Sequence, residues 1–229
     1  MKKLVVLSGA GMSAESGIST FRDAGGLWEG HDIMEVASPE GWSKNPEVVL
    51  NFYNLRRRQL KEVHPNKGHL ILKDLEKYFD VQIITQNVDN LHERAGSSNI
   101  IHLHGELNKV RSINDENYIL DWTEDLHWGD TDTQGHQMRP HIVWFGEAVP
   151  AIELAANLVS NADIIVIIGT SMQVYPAAGL IDYAPDYAKF FYIDPQPAQL
   201  LYFNHTLTII PKIASEGCQD LKEILISIS

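Results

Sequence analysis

A chain of 229 residues, 44% hydrophobic and 21% charged, suits one sizeable globular unit, or a large domain carrying a smaller insert, and is not the composition of a disordered chain. Its formal net charge of -12 repels a phosphate backbone, so nucleic acid is not expected as a direct partner, while a basic protein or lysine-rich tail is attracted. The one cysteine, Cys218, permits neither an internal disulfide nor a cysteine-based zinc site, and a reducing cytoplasm is the expected compartment.

Residues 1–7 carry two lysines and an apolar run, but the run stops at Leu7, short of the roughly 7 to 15 residues of a secretory core. Residues 3–8 are therefore predicted to form a first strand. A glycine-rich turn follows, and then 24–64, which holds no strand-like run and is predicted helical, with an amphipathic segment over 46–63. A helix is predicted over 66–78, strands over 81–85 and 100–104, and a polar, irregular insert over 106–140. Further strands are expected at 141–145, 163–169, 190–194 and 206–210, with helices at 151–160, 177–183 and 219–227. The longest of the later apolar runs, 164–168, is far below the ~20 residues that span a bilayer, so a soluble protein without membrane partners is expected.

Most of the strands read as continuous apolar runs, the pattern of a parallel sheet covered on both faces. Their alternation with helices predicts an α/β fold, a doubly wound parallel sheet of Rossmann-like type with a small inserted module. The expected division is a large domain from 1–23, 65–105 and 141–229, with the module from 24–64 and 106–140.

Gly9, Gly11 and Ala14 satisfy G-x-G-x-x-G/A directly after a strand, where such glycines let a diphosphate approach backbone N–H groups at a helix start. A hydride-transferring dehydrogenase would also present an acidic residue at the end of a second strand about 20 positions on. Glu35 and Glu40 lie at that distance, but neither ends a strand-like run, which counts against hydride transfer.

The stretches "GAGMSAESGISTFRD" at 9–23, "TQNVDNLHERAG" at 85–96, "HGEL" at 104–107, "VWFGE" at 143–147 and "GTS" at 169–171 resemble the sirtuins, the NAD-dependent protein deacylases, in order and spacing over nearly the whole chain. The resemblance implies that NAD is consumed: the acyl-lysine carbonyl oxygen attacks the ribose carbon bearing nicotinamide, and the products are nicotinamide, acyl-ADP-ribose and free lysine. Acyl-lysine proteins or peptides are the implied partners. It also implies roles. Gly9, Ala10 and Gly11 meet the diphosphate, with Arg22 near phosphate and ribose; Ala14 and Ile18 line the nicotinamide pocket. Phe21 and the 24–29 loop fold over the cofactor and shield the reactive carbon from water. Gln86, Asn87 and Asp89 contact ribose and carboxamide, Asn87 ordering the reacting geometry, although Asn87 or Asp89 also suits the cap of a helix over 91–95. Gly169, Thr170 and Ser171 reach the adenosine half.

His104 is expected at the end of a strand, and an imidazole of unperturbed pKa near 6.5 suits a base acting on a ribose hydroxyl. It is the predicted catalytic base, with His102 in a supporting role. Val143, Trp144, Phe145, Gly146 and Glu147 resemble the segment that pairs with an extended substrate peptide by β-augmentation, although they are also plain strand formers. Tyr53 and Arg56, three apart on a helix, share one face, and Arg grips a carboxylate through parallel N–H bonds. This Y-x-x-R, with the small Ala37, resembles the sirtuins that remove succinyl, malonyl or glutaryl groups. The alternative is a solvated basic face at Arg56, Arg57 and Arg58.

Two features depart from the family pattern. Typical sirtuins carry four zinc-binding cysteines in the insert after HGEL; 106–140 has none, Ser112 stands where the first is expected, and no metal is predicted. Asp194 stands where relatives usually have asparagine at the adenosine ribose, and it can accept hydrogen bonds there but not donate them. Two rival functions remain open on sequence: an NAD or ADP-ribose sensor without turnover, and a mono-ADP-ribosyltransferase.

Overall fold

In a computed structural model of the chain, residues 1–19, 27–28, 30–200 and 203–227 are described. The strands are β1 (Lys3–Ser8), β2 (Leu27–Trp28), β3 (His31–Asp32), β4 (Asp80–Thr85), β5 (Ile100–His102), β6 (Gly105–Ser112), β7 (Ile119–Asp121), β8 (Met138–Ile142), β9 (Ile164–Ile168), β10 (Lys189–Ile193) and β11 (Leu207–Ile210). The helices are α1 (Ile33–Val36), α2 (Pro39–Lys44), α3 (Pro46–Glu62), α4 (Lys67–Leu75), α5 (Leu91–Arg94), α6 (Ile152–Val159) and α7 (Ala214–Ser227). None of them is long and apolar enough to cross a membrane.

Six strands form one parallel sheet in the order β11-β10-β9-β1-β4-β5. The strand side chains alternate between two covered faces, as the apolar runs require. Leu4 and Val6 join α4 and α7 on one face, and Val5 and Leu7 join α6 on the other. All five residues of β9 are buried, and each such side chain contributes about 1.5–3 kcal/mol over exposure, which fits this run to the sheet interior.

The chain leaves β1 toward β4 on one side and returns to β9 on the other, so strand order reverses between β1 and β9. In open α/β sheets a ligand crevice lies outside the carboxyl ends of the strands at that switch point. Ser8, Thr85, His102, Ile168 and Ile193 form a single row of register partners across five strands. The loops that leave this row therefore start level with one another.

Five expectations need correction. The 106–140 insert is not irregular: β7-β6-β8 form a three-stranded antiparallel sheet. Residues 141–145 are not a strand of the parallel sheet, because His141 and Ile142 complete β8, and the residues after Ile142 form a turn. Among the described residues of 24–64, helices α1, α2 and α3 are preceded by the two-residue pairing of β2 with β3. No regular helix follows β1; 3-10 turns at Ala10–Met12 and Ala14–Ser16 do, and Ala177–Tyr183 is likewise 3-10.

The helix α3 enters on a cap that its sequence announces, Asn45 accepting from the Val48 N–H with Pro46 behind it. Its buried face, with Val49, Phe52, Tyr53 and Leu60, meets Leu107 and Ile142 of the small sheet and Trp144 beyond it. The small sheet begins at Gly105 and ends at Ile142, so the expected domain boundaries fall one residue inside β6 and two inside β8.

Candidate active site

One cavity of about 680 Å³ opens at the carboxyl row, between the parallel sheet and the small module. That is within the roughly 300–1,000 Å³ of ordinary ligand pockets. Phe21 and Arg22 lie outside the described residues. Every other residue assigned from the sequence to catalysis, the cofactor or the substrate lines this cavity, while His102, given a supporting part, does not.

The glycines act differently from expectation. The Gly9 and Gly11 N–H groups already donate, to the carbonyls of Ile168 and Gly169 at 2.9 and 2.8 Å. Their missing side chains instead let the β1 and β9 loops touch: a Cβ on Gly9 would lie 2.7 Å from Thr170 Cβ, and one on Gly11 2.6 Å from Gly169 Cα. The Ala10 N–H, at the first position of its turn, has no partner among the described residues. It is the one amide of this trio left for an anionic ligand. The bare backbone and this donor fit a diphosphate-bearing group.

Across the crevice, Ser13 Oγ donates to Asp89 Oδ2 at 2.9 Å and accepts from Asn87 Nδ2 at 3.1 Å. Asp89 also accepts from the Leu91 N–H at 3.0 Å, at the start of α5, but the capping position is Asn90, so neither Asn87 nor Asp89 is the cap itself. Burial holds the Asp89 carboxyl above its ordinary pKa, against the pull of those two donors. The part of Ser13 was missed in the sequence because a serine in a glycine-rich turn reads as a turn residue.

His104 sits between β5 and β6, two residues past the register row. Its Nδ1 is 3.0 Å from the Gln86 carbonyl, which can only accept, so Nδ1 carries the proton and Nε2 presents a lone pair in the neutral ring. Burial lowers the pKa of this imidazole below 6.5, and the bond to Gln86 offsets that only in part. The ring is therefore neutral at physiological pH. His102 turns the other way: Nδ1 faces the Asn87 carbonyl at 3.0 Å and Nε2 the Glu93 carboxylate at 2.7 Å. Burial opposes its charge, but the Glu93 contact outweighs it and raises the pKa. His102 thus holds the backbone of Asn87, in keeping with a supporting part.

On the adenosine-side expectation, Gly169 has φ +59° and Thr170 Oγ1 accepts from Gln86 Nε2 at 3.0 Å, bridging the β4 and β9 loops. Asp194 is buried and accepts from the Gln196 N–H at 2.8 Å.

The 143–147 segment is neither core strand nor free ladder. The amides of Val143, Trp144, Phe145 and Glu147 donate to His104 O, Glu147 Oε2, Ala37 O and Trp144 O, and Gly146 has φ +90°. The Gly146 N–H and the carbonyls of Val143, Phe145, Gly146 and Glu147 have no partner among the described residues. Glu147 organises this turn, taking Arg139 at 2.6 Å and Arg111 at 3.1 Å. Burial works against its ionisation, yet Arg139 and the Trp144 N–H keep its carboxyl below the usual range.

The three consecutive arginines part company. Arg56 lines the cavity, its guanidinium 4.1 Å over the Phe52 ring and bonded to the Phe52 carbonyl at 2.9 Å. Arg57 is buried and bonds Leu107 O and Asn54 Oδ1, while Arg58 pairs with Asp125 at the surface. A common solvated basic face is thus ruled out. Tyr53, Arg56 and Ala37 share the module-side wall.

In the position of the expected zinc site, Ser112 Oγ donates to Asp132 Oδ2 at 2.6 Å, and Asp132 Oδ1 accepts from the amides of Gln134 and His136. No three His, Cys, Asp or Glu side chains converge as metal ligands would among the described residues. The residues present do not fit zinc.

Residues 9–176 match the family model of the Sir2 family. An NAD-dependent protein deacylase of Helicobacter pylori strain 26695 is 58% identical over 229 residues, covering 100% of both chains. A protein of the same description from Escherichia coli K12 is 42% identical, covering 96% of this chain and 84% of its own. A solved Sir2 homologue in complex with NAD has a TM-score of 0.86 at 37% identity, covering 99% of this chain and 90% of its own. A Sir2 homologue mutant bound to ADP-ribose gives 0.88 at 36%, covering 100% and 94%.

Proposed function

This chain belongs to the Sir2 family, and from that premise we propose that it is an NAD-dependent protein-lysine deacylase that accepts succinyl and malonyl chains as well as acetyl. The observation that carries the reading is His104: its tautomer is fixed by Gln86, with Nε2 as acceptor, in the same cavity as the β1 glycine turn.

Bound NAD supplies an electrophilic ribose carbon, nicotinamide as leaving group and a ribose that takes the acyl chain. The residues of the chain do the rest. The Ala10 N–H binds the diphosphate, and the glycine contact between the β1 and β9 loops keeps that amide at the switch point. Gly169, Thr170, Ser171 and Asp194 hold the adenosine half. Ala14 and Ile18 border the nicotinamide, and Ser13 orients Asn87 and Asp89 toward ribose and carboxamide. Nε2 of His104 takes the proton of a ribose hydroxyl, and burial keeps it free to do so at neutral pH.

A substrate peptide lies along 143–147, using the Gly146 N–H and the open carbonyls in place of a full ladder. Its acyl chain runs past Ala37 to Tyr53 and Arg56. There the guanidinium meets a terminal carboxylate, while burial keeps the Tyr53 phenol protonated as a donor. The buried, lone Cys218 and the charge of -12 support a cytoplasmic protein acting on basic protein segments and not on nucleic acid. We read the six-stranded and three-stranded units as the large domain and small module of one catalytic chain.

Incubation with NAD and matched acetyl- or succinyl-lysine peptides, followed by mass analysis, tests the reaction: nicotinamide and acyl-ADP-ribose must both appear. Absence of nicotinamide with every acyl peptide favours a sensor instead. Arg56→Met is expected to lower succinyl kcat/KM roughly 10- to 100-fold more than acetyl, the worth of a charge-assisted hydrogen bond. Equal losses on the two refute the carboxylate reading.

A further inference from the structure

Beneath the acyl wall a chain of contacts runs from the turn to the Tyr53 phenol. The Trp144 side chain is 2% exposed and Tyr53 is 0% exposed, and Trp144 Nε1 donates to the Tyr53 hydroxyl oxygen at 3.0 Å. An indole N–H only donates, so the phenol oxygen accepts this bond and its own proton turns away from the indole. The indole is itself fixed from its other face. The Arg139 guanidinium lies 3.3 Å from the Trp144 ring centroid and bonds Glu147 and the Ile142 carbonyl, and Glu147 in turn accepts the Trp144 amide.

We propose that Trp144 is a positioning residue for acyl selectivity: held by Arg139 and Glu147, its indole N–H orients the Tyr53 hydroxyl as a donor toward acyl chains that end in a carboxylate. The inference rests on the carboxylate reading of Tyr53 and Arg56 and adds to it the group that aims the phenol. Phenylalanine at 144 keeps an aromatic face for Arg139 but has no N–H, and the Tyr53 hydroxyl is then free to turn its proton toward the indole side. An acetyl chain has no carboxylate to receive that proton, so only the longer acidic chains register the change. Trp144 and Tyr53 lie 91 residues apart in sequence, and no local pattern announces the pair.

Trp144→Phe, Tyr53→Phe and the double variant are compared on matched succinyl- and acetyl-lysine peptides at saturating NAD. The readout is the ratio of succinyl to acetyl kcat/KM, so that any loss common to both substrates cancels. Trp144→Phe is expected to lower the ratio roughly tenfold, through the succinyl KM, and to lower it no further in the Tyr53→Phe background. An unchanged ratio, or a loss fully additive with that of Tyr53→Phe, overturns the proposal. If Trp144→Phe does not fold, Arg139→Lys is read the same way: it keeps the charge beside Glu147 but loses the planar stack, and it too must lower the ratio. A wild-type protein that removes acetyl and leaves succinyl untouched overturns the carboxylate reading together with this one. A wild type active on succinyl whose ratio survives Trp144→Phe overturns this one alone.

Discussion

Gly11→Ala tests whether the glycine turn works by close contact between loops. Gly11 is not at positive φ, so alanine meets no backbone strain there. What it meets is Gly169: the new Cβ would lie 2.6 Å from its Cα and 3.0 Å from its carbonyl oxygen, both backbone atoms with no rotamer to yield. Restoring ordinary contact, which begins at 3.4 Å, parts the two loops by about 0.8 Å. The Gly11 N–H to Gly169 bond, now 2.8 Å, is then stretched beyond hydrogen-bonding range. A lost bond of about 1 kcal/mol and overpacking of about 1–3 kcal/mol give a destabilisation of about 2–4 kcal/mol. For a chain of this size that lowers Tm by roughly 4–16 °C. The Ala10 N–H moves with the loop, so the KM for NAD rises as well. Gly179→Ala is the control: its nearest neighbours are Tyr175 ring atoms at 3.6 and 3.7 Å, and the change is expected within about 0.5 kcal/mol. Thermal melts followed by circular dichroism, with nicotinamide release measured across NAD concentrations, read both effects. A Gly11→Ala protein that melts with wild type and keeps its KM for NAD refutes the loop-contact account.

Other expectations follow from the same geometry. His104→Ala is expected to lower deacylation by roughly 10²–10⁴-fold, and because burial lowers this imidazole's pKa, the wild-type acid limb of kcat/KM falls at a pH below 6.5; a limb centred above 6.5 counts against His104 as the base. Asp132 is held down to about 2, chiefly by the Ser112 hydroxyl, against an unfolded value of about 3.9. Its stabilisation is complete at neutral pH and lost as pH falls from about 4 to about 2, so Asp132→Asn should lower Tm at pH 7 and converge on wild type through that window. Burial lowers His69 and His141 to about 4 and His92 well below 6.5, whereas the Glu93 contact raises His102. Unfolding then takes up protons, and stability should fall as pH drops from about 6.5 toward 4, measured by urea denaturation at stepped pH.

The parallel sheet was legible because β1, β9 and β10 carry apolar runs of four or five residues that bury on both faces, and such a run bounded by polar residues has few other uses; β4 fits the pattern apart from Gln82. The small sheet was not. β7 is exposed throughout, and β8 contains Pro140 and Arg139, residues that argue against a strand until the partners are known. Arg139 is buried there because Glu147 and the Trp144 ring receive it, contacts that local periodicity does not carry. The motif residues were found by resemblance, but how they act was not: the sequence suggests glycine amides turned to a ligand, and the structure turns two of them into a seam between loops. Arg56, Arg57 and Arg58 make the same point, since α3 sends neighbouring guanidinium groups to the cavity, the interior and the surface.

The site draws its order from two sources. Gly9, Gln86, Gly169 and Asp194 are each the first residue past the row that ends β1, β4, β9 and β10, and His104 is the second past β5, so their spacing is set by strand register. A register slip would turn every buried strand side chain to the opposite face, which makes that spacing hard to perturb. Ala37, Tyr53 and Arg56 come from the helical stretch around α1 and α3, and Trp144 from the turn that follows β8. That turn links the two sides through two backbone bonds, Val143 N–H to His104 O beside the row and Phe145 N–H to Ala37 O on the helical side, each 2.9 Å. Substitutions in the module wall can therefore change which acyl chain is held without moving the base or the diphosphate turn, whereas those along the row disturb turnover of every acyl chain alike.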